Sequence, residues 1–446
     1  MDAVLRRKTM RKLIYFFVFL FLISPFSYAL TSAPDIYCNS AILIDARTGN
    51  VLFEKSSNQK AYPASTTKVL TSYIALSQGI DCNAEIIPSR NAVMSVPTGS
   101  SIAYFSENEK LTFEQVLYGL LLPSGNDAAN ILAEHISGSN SNFADLMNAT
   151  AENLGMTNSH FVNPSGWHND EHYTTASDLA KVAREAMKID KFREIVKQQK
   201  YNMPPTNVSK QTRPFTNTNK LLHTDGEYYY PFATGIKTGY TSQAGNCLIA
   251  SAYKDGVELI SVVLGGHTIP VGKSATYIDT INLFNYGFEN YHNVQLASKN
   301  QVITTITPKN AKKIELKKEE NSSVAKITKS KILNLVAADN VNSLVQNGDT
   351  PVFDKIINVN NKISAPIKKG EVLGTVTYTK NGEIVQIINL LSERDVEKEH
   401  VICVILRLLP YFIFSVIILG VILIIYNTIR KFIRKKKRKR ITKGNR

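Results

Sequence analysis

Cysteine is scarce in this chain. Four residues, Cys38, Cys82, Cys247 and Cys403, are spread over 446 positions, too few and too scattered for a disulfide framework. No pair stands at zinc-ligand spacing. Cys247 sits in an apolar run and Cys403 at the edge of a hydrophobic segment, and both are expected to be free; a Cys38–Cys82 bridge is the pairing left open. Long internal repeats and low-complexity tracts are lacking apart from a basic tail. The middle of the chain also lacks net charge. The formal total is +15, but residues 1–29 carry +4 (Arg6, Arg7, Lys8, Arg11 and Lys12 against Asp2). Residues 427–446 carry +11 with no acid, and the two ends account for the whole. A balanced body gives no basis for nucleic-acid binding.

The charged ends have a different explanation. Residues 6–12 form a positive region, Leu13 to Ile23 is apolar, and Ser27-Tyr28-Ala29 offers small residues for cleavage, the pattern of a secretory signal peptide over residues 1–29. Near the other end, Leu408 to Thr428 runs 21 residues without a charge. At about 1.5 Å per residue that crosses a bilayer core of about 30 Å. The basic block that follows places the tail in the cytoplasm and the body outside the cell membrane. The expected division is a signal at 1–29, a catalytic domain at 30–290, a β-rich domain at 291–397, a membrane anchor at 398–428 and a basic cytoplasmic tail at 429–446.

Between these ends, 43% hydrophobic residues with scattered Gly and Pro read as globular. Ala41 to Asp45 and Val51 to Phe53 flank Thr48-Gly49-Asn50, a strand hairpin. Helical spacing marks Phe113–Leu121, Asp127–Ile136, Phe143–Leu154, Ser177–Met187 and Tyr277–Tyr286. Residues 190–231 read as loop-rich. Cys247–Ala252 and Glu258–Leu264 read as consecutive antiparallel strands. From Tyr291 to about Glu397, short alternating strands with Lys369-Gly370 and Asn381-Gly382 turns indicate a small all-β domain.

Three motifs carry the chemistry. Ser65 and Lys68, three apart, share one face of a helix entered through Pro63-Ala64. A serine hydroxyl needs a base, and a lysine can serve if burial or a second cation destabilises its ammonium. Alone, this pair is also what a capped helix start with a solvated lysine looks like. Ser124-Gly125-Asn126 forms a polar loop between helices, and Lys237-Thr238-Gly239 opens a strand. A fourth pattern, His168-Asn169-Asp170-Glu171-His172, matches a zinc-peptidase spacing, but Gly166 and Asn169-Asp170 make a poor helix and no third ligand is evident. No metal and no cofactor are expected.

Ser-x-x-Lys, Ser-x-Asn and Lys-Thr-Gly in this order resemble the motif set of the penicillin-recognising serine hydrolases. Within them the chain most resembles the low-molecular-mass penicillin-binding proteins that are D-alanyl-D-alanine carboxypeptidases. The resemblance extends through Leu122-Pro123-Ser124-Gly125-Asn126-Asp127-Ala128-Ala129, Leu154-Gly155-Met156-Thr157-Asn158-Ser159-His160-Phe161, His172-Tyr173-Thr174-Thr175-Ala176, Asn217-Thr218-Asn219-Lys220-Leu221-Leu222 and Gly235 to Thr241. It implies an α/β (α+β) catalytic domain of the β-lactamase/transpeptidase type, with an antiparallel sheet flanked by helices. The small all-β domain and a C-terminal transmembrane helix would follow it.

The implied partners are a peptidoglycan pentapeptide ending in D-Ala-D-Ala, β-lactam antibiotics and the membrane. Ser65 would attack the carbonyl between the two D-alanines, with Lys68 as base and Ser124 passing the proton to the leaving amine. Asn126 would hold Lys68 and the substrate amide, and Lys237 and Thr238 the substrate carboxylate. Gly239 would allow close approach, and the N–H groups of Ser65 and Tyr240 would form the oxyanion hole. The chain departs from the family at Ser165-Gly166-Trp167, where His-Gly-Leu is frequent, and at Lys273, nearest equivalent of a carboxylate-binding Arg. Its anchor reads as a full span rather than an amphipathic helix. A serine β-lactamase shares the three motifs, but no Glu-x-x-Leu-Asn pentapeptide occurs between Asn126 and Lys237. A non-catalytic wall-associated scaffold would have no need of Ser65, Lys68, Ser124 and Lys237 together.

Overall fold

The computed structural model describes residues 31–317, 327–399 and 401–443. The expected signal peptide at 1–29 and the last residues of the expected basic tail lie outside them. The described residues form two compact units, one running to residue 294 with 344–350 and the other comprising those from 295 to 343 and from 351 onward.

The first unit begins with the expected hairpin, β1 (Ser40–Asp45) and β2 (Val51–Lys55). Helices α1 (Lys68–Ser77), α2 (Phe113–Leu121), α3 (Asn126–Ser137), α4 (Asn140–Asn153) and α5 (Ala176–Ala186) follow. Strands β3 (Ala233–Thr241), β4 (Gly245–Lys254) and β5 (Val257–Gly266) then lead to α6 (Ala275–Asn290). Thr112 starts α2 with a capping box, its hydroxyl accepting from Gln115 N while the Gln115 side chain returns to Thr112 N. The sheet order is β2-β1-β5-β4-β3, antiparallel throughout, with Ser40 opposite Leu264 and Gly239 opposite Cys247.

The sheet is covered on both faces, so its central strands are almost continuously apolar although antiparallel. The pleat divides them between two cores. Ile42, Ile44, Ile249, Ile260, Val262 and Leu264 pack with α1, α2 and α3 through Val69, Leu70, Phe113 and Leu132. Ala41, Leu43, Leu248, Ala250, Leu259 and Val263 pack with α6 through Leu283 and Phe284.

The stretch expected to be loop between 190 and 231 contains a helix, Asp190–Val196, and a hairpin of Lys200–Met203 with Arg213–Thr216. The open disulfide pairing is not realised, since Cys38 and Cys82 are free thiols, as is buried Cys247.

In the second unit, β6 (Val302–Ile306), β7 (Leu333–Ala337), β8 (Phe353–Val359), β9 (Val372–Lys380) and β10 (Glu383–Ser392) form an antiparallel sheet in the order β6-β7-β10-β9-β8. Asn381 and Gly382 make the two-residue turn between β9 and β10 with φ of +51° and +87°, the conformation for which Asn-Gly is selected in hairpins. Leu333, Leu335, Val376 and Leu390 centre its core. Helix α7 (Val401–Lys443) closes the chain, and within it Ile405–Lys435 is long and apolar enough to cross a membrane.

Candidate active site

Ser65 does not sit in the first turn of an α-helix as expected. Ala64–Thr67 form a 3-10 turn that runs directly into α1. Ala64 takes a left-handed φ of +47°, a conformation that costs a non-glycine residue about 1–3 kcal/mol and collects at functional sites. Thr66 secures the turn, donating from its N and its hydroxyl to the Pro63 carbonyl at 3.2 and 2.6 Å. On a 3-10 turn, side chains three apart eclipse one another. Lys68 therefore stands directly over Ser65, with Nζ 3.0 Å from Oγ.

Lys68 is fully buried. Its Nζ donates to Asn126 Oδ1 at 2.6 Å and to the Ser165 carbonyl at 2.8 Å. Burial holds its pKa well below the usual lysine value; the Lys237 charge adds to this and Asp127 opposes it. A neutral amine has two N–H donors and one lone pair. In that neutral form two pure acceptors would take the donors and leave the lone pair for the Ser65 hydroxyl.

Ser124 and Asn126 come from the α2–α3 junction. Ser124 is buried with φ of +67°, and Asn126 is the first residue of α3, its N donating to the Ser101 carbonyl at 2.8 Å. The Asp127 carboxylate accepts from the backbone N–H groups of Ala103, Phe105 and Ala128. Burial raises its pKa, and these bonds oppose the rise. Asp127 thus fixes the 101–105 segment beside the Ser124 turn.

On the facing side, β3 carries Lys237, Thr238, Gly239 and Tyr240. Lys237 is buried, with Nζ donating to Thr218 Oγ1 at 3.4 Å and the Thr238 carbonyl at 3.2 Å. Burial brings its pKa down to about 7. The Thr238 and Thr218 hydroxyls are 2.5 Å apart. At Gly239 a Cβ would lie 2.9 Å from Ser65 N and 3.0 Å from both Pro63 O and Thr66 N. Only glycine lets the strand lie this close to the serine turn.

Ser65, Ser124, Asn126, Thr238, Gly239 and Tyr240 all line one cleft of about 520 Å³. Lys68 and Lys237 meet it through Ser65 and Thr218. Lys273 is not among the lining residues, and its Nζ pairs with Glu227 at 3.1 Å. Sequence reasoning missed Ser165, whose carbonyl holds Lys68, and Gly166, where a Cβ would fall 1.8 Å from Ala64 O. It also missed Thr218. Thr218 was marked only by membership in a stretch that resembles the family, and Ser165-Gly166 only as a point where the chain departs from it.

The His168–His172 stretch does not converge. His168 Nε2 faces Asp170 at 3.4 Å. His172 is buried, and desolvation lowers its pKa to about 3. Its Nδ1 accepts from Val162 N, so the neutral ring's Nε2–H donates to Thr67 Oγ1 at 2.9 Å. This imidazole braces the serine turn from below.

A cleft serine against a buried amine, between helices and an antiparallel sheet, defines a serine-type hydrolase. The comparisons with known proteins give the family. Residues 28–268 match the D-alanyl-D-alanine carboxypeptidase model, and residues 291–398 match the C-terminal domain of penicillin-binding protein 5. The chain is 32% identical over 364 residues to the D-alanyl-D-alanine carboxypeptidase DacF of Bacillus subtilis, covering 80% of this chain and 86% of that one. Among solved structures, penicillin-binding protein 5 from Haemophilus influenzae superposes with a TM-score of 0.58 at 26% identity, over 82% of this chain and all of that one. The Streptomyces K15 DD-transpeptidase gives 0.52 at 32% identity, over 58% and 99%. The chain belongs to the D-alanyl-D-alanine carboxypeptidase family.

Proposed function

We propose that this protein removes the terminal D-alanine from peptidoglycan stem pentapeptides through an acyl-enzyme on Ser65, and that penicillin acylates the same hydroxyl. The observation that carries the reading is the 3.0 Å contact between Ser65 Oγ and a fully buried Lys68 amine whose other hydrogen-bonding capacity is spent on Asn126 and Ser165. Lys68 takes the hydroxyl proton as Oγ bonds to the carbonyl carbon. The backbone N–H groups of Ser65 and Tyr240 stabilise the oxyanion, and each such donor is worth about 3–4 kcal/mol of barrier. Ser124 passes the proton to the leaving nitrogen, the C–N bond breaks and D-alanine departs. Water then gives a proton to Lys68 and adds to the ester carbonyl, and the bond from that carbon to Ser65 Oγ breaks. The shortened peptide leaves as its carboxylic acid, and Lys68 returns the proton to Oγ.

Asn126 orients both Lys68 and the substrate amide. Lys237 and Thr238 meet the substrate's free carboxylate. Asp127 is spent on three backbone N–H groups, which supports slow rather than fast hydrolysis of a penicilloyl ester, unlike a β-lactamase. The apolar part of helix α7 is a single-pass anchor, and the basic residues from Arg430 onward in its last turns fit a cytoplasmic tail with the catalytic unit outside.

The test uses the full-length protein in detergent and a pentapeptide ending in D-Ala-D-Ala. Wild type releases D-alanine, whereas Ser65→Ala and Lys68→Ala release none. Release by Ser65→Ala at the wild-type rate would refute the assignment.

A further inference from the structure

The cleft continues past Thr238 into a polar end lined by Thr218, Lys220, Ser274, Thr276 and Tyr277. Lys220 opens a 3-10 turn, Lys220–Leu222, whose backbone is held firmly. Buried Asn219 accepts from Leu221 N, and buried Asn217 accepts from Asn219 N. The Tyr277 hydroxyl accepts from Lys220 N at 3.3 Å and donates to the Thr218 carbonyl at 3.2 Å. Tyr277 stacks on Tyr228 with centroids 4.7 Å apart, and the Tyr228 hydroxyl accepts from Ser274 N at 2.9 Å. Lys220 Nζ lies 5.9 Å from the Tyr228 ring centroid. The ammonium is exposed and makes no ion pair among the described residues. It is thus a cation on a braced turn at the open end of the cleft.

We propose that Lys220, rather than Lys273, supplies the cation that draws in and holds the free carboxylate of the departing residue. The inference rests on the carboxypeptidase reading of the same cleft. A carboxylate entering beside Thr238 meets Thr218, and the Lys220 turn is two residues further along the same backbone. Lys273 is off the lining, and its charge is answered by Glu227, which would itself repel a carboxylate. Lys237 reaches the cleft only through the Thr218 and Thr238 contacts and is partly neutral near pH 7. A solvated ammonium at the mouth adds the missing long-range attraction.

The experiment measures D-alanine release and, separately, equilibrium binding of D-alanyl-D-alanine to the Ser65→Ala protein, full-length in detergent. Lys220→Ala is expected to raise KM about tenfold with little change in kcat, and Lys220→Arg to restore it. Rising salt should raise the wild-type KM and leave that of Lys220→Ala nearly flat. In the Ser65→Ala background, Lys220→Ala should weaken dipeptide binding by a similar factor. Unchanged KM and binding in Lys220→Ala, or a larger loss in Lys273→Ala, would overturn the assignment. An active-site reading that fails shows instead as no D-alanine release by wild type, and the binding measurement then still decides the role of Lys220.

Discussion

Replacing Gly239 with alanine probes the join between the strand and the serine turn. The added Cβ would sit 2.9 Å from Ser65 N and 3.0 Å from Thr66 N and Pro63 O, whereas ordinary contacts begin at 3.4 Å. All three neighbours are backbone atoms, so no side chain can rotate away. The strand and the turn must part by about 0.5 Å, with an overpacking cost of about 1–3 kcal/mol. The atom pushed hardest is Ser65 N, one of the two proposed oxyanion donors, and the other, Tyr240 N, is on the next residue of the displaced strand. Loss of one donor costs about 10²–10³ in rate, and a misplacement of about 1 Å costs about 10². Gly239→Ala is therefore expected to slow acylation about 30- to 100-fold. Stopped-flow acylation by a fluorescent penicillin measures this, with thermal unfolding run alongside. An acylation rate within about twofold of wild type, at unchanged melting temperature, would refute the close packing of β3 on the turn.

Lys237 tests the opposition between stability and function. Its pKa of about 7 in the folded protein lies below the unfolded value of 10.5, so the unfolded chain binds more protons between these values and stability should rise with pH through that window. Lys237→Met should remove that slope, raise stability by about 1–2 kcal/mol in denaturant titration and abolish turnover. A loss of stability in Lys237→Met would contradict this account. D-alanine release should follow a bell-shaped pH profile. The acid limb rises as Lys68 loses its proton, and the alkaline limb falls as Lys237 loses its charge above about 7. A rate flat across pH 6 to 9 would deny both roles. Gly166→Ala should prevent normal folding, because φ is +79° and the new Cβ would overlap Ala64 O; a soluble variant with wild-type acylation would contradict the described loop.

Much of this was legible in the chain because residue types and local periodicity fix it. The Asn381-Gly382 pair announced its hairpin, and Ser124 and Lys237 lie in the loop and on the strand their motifs indicated, whereas Ser65 lies on a 3-10 turn rather than an α-helix. What stayed hidden depends on contacts between distant segments. The spacing of Ser65 and Lys68 fits an α-helix as well as a 3-10 turn, and only the close neighbours Gly239 and Gly166 select the tighter form. The helix Asp190–Val196 and the hairpin after it are short, and Pro204-Pro205 masks their pattern; their order comes from burial of Phe192, Met203 and Phe215 and from Arg213 pairing with buried Glu109. Nothing local in Lys273 foretold that Glu227, 46 positions earlier, would claim its charge. The sheet order, with β1 between β2 and β5, is likewise a property of the folded chain alone.

The central claim is that one serine oxygen is the nucleophile, and mass spectrometry of the penicillin-treated full-length protein tests it most directly. The account predicts a single penicilloyl group on the peptide containing Ser65, absent in Ser65→Ala and greatly slowed in Lys68→Ala. A penicilloyl group on any other residue, or undiminished labelling of Ser65→Ala, would contradict it.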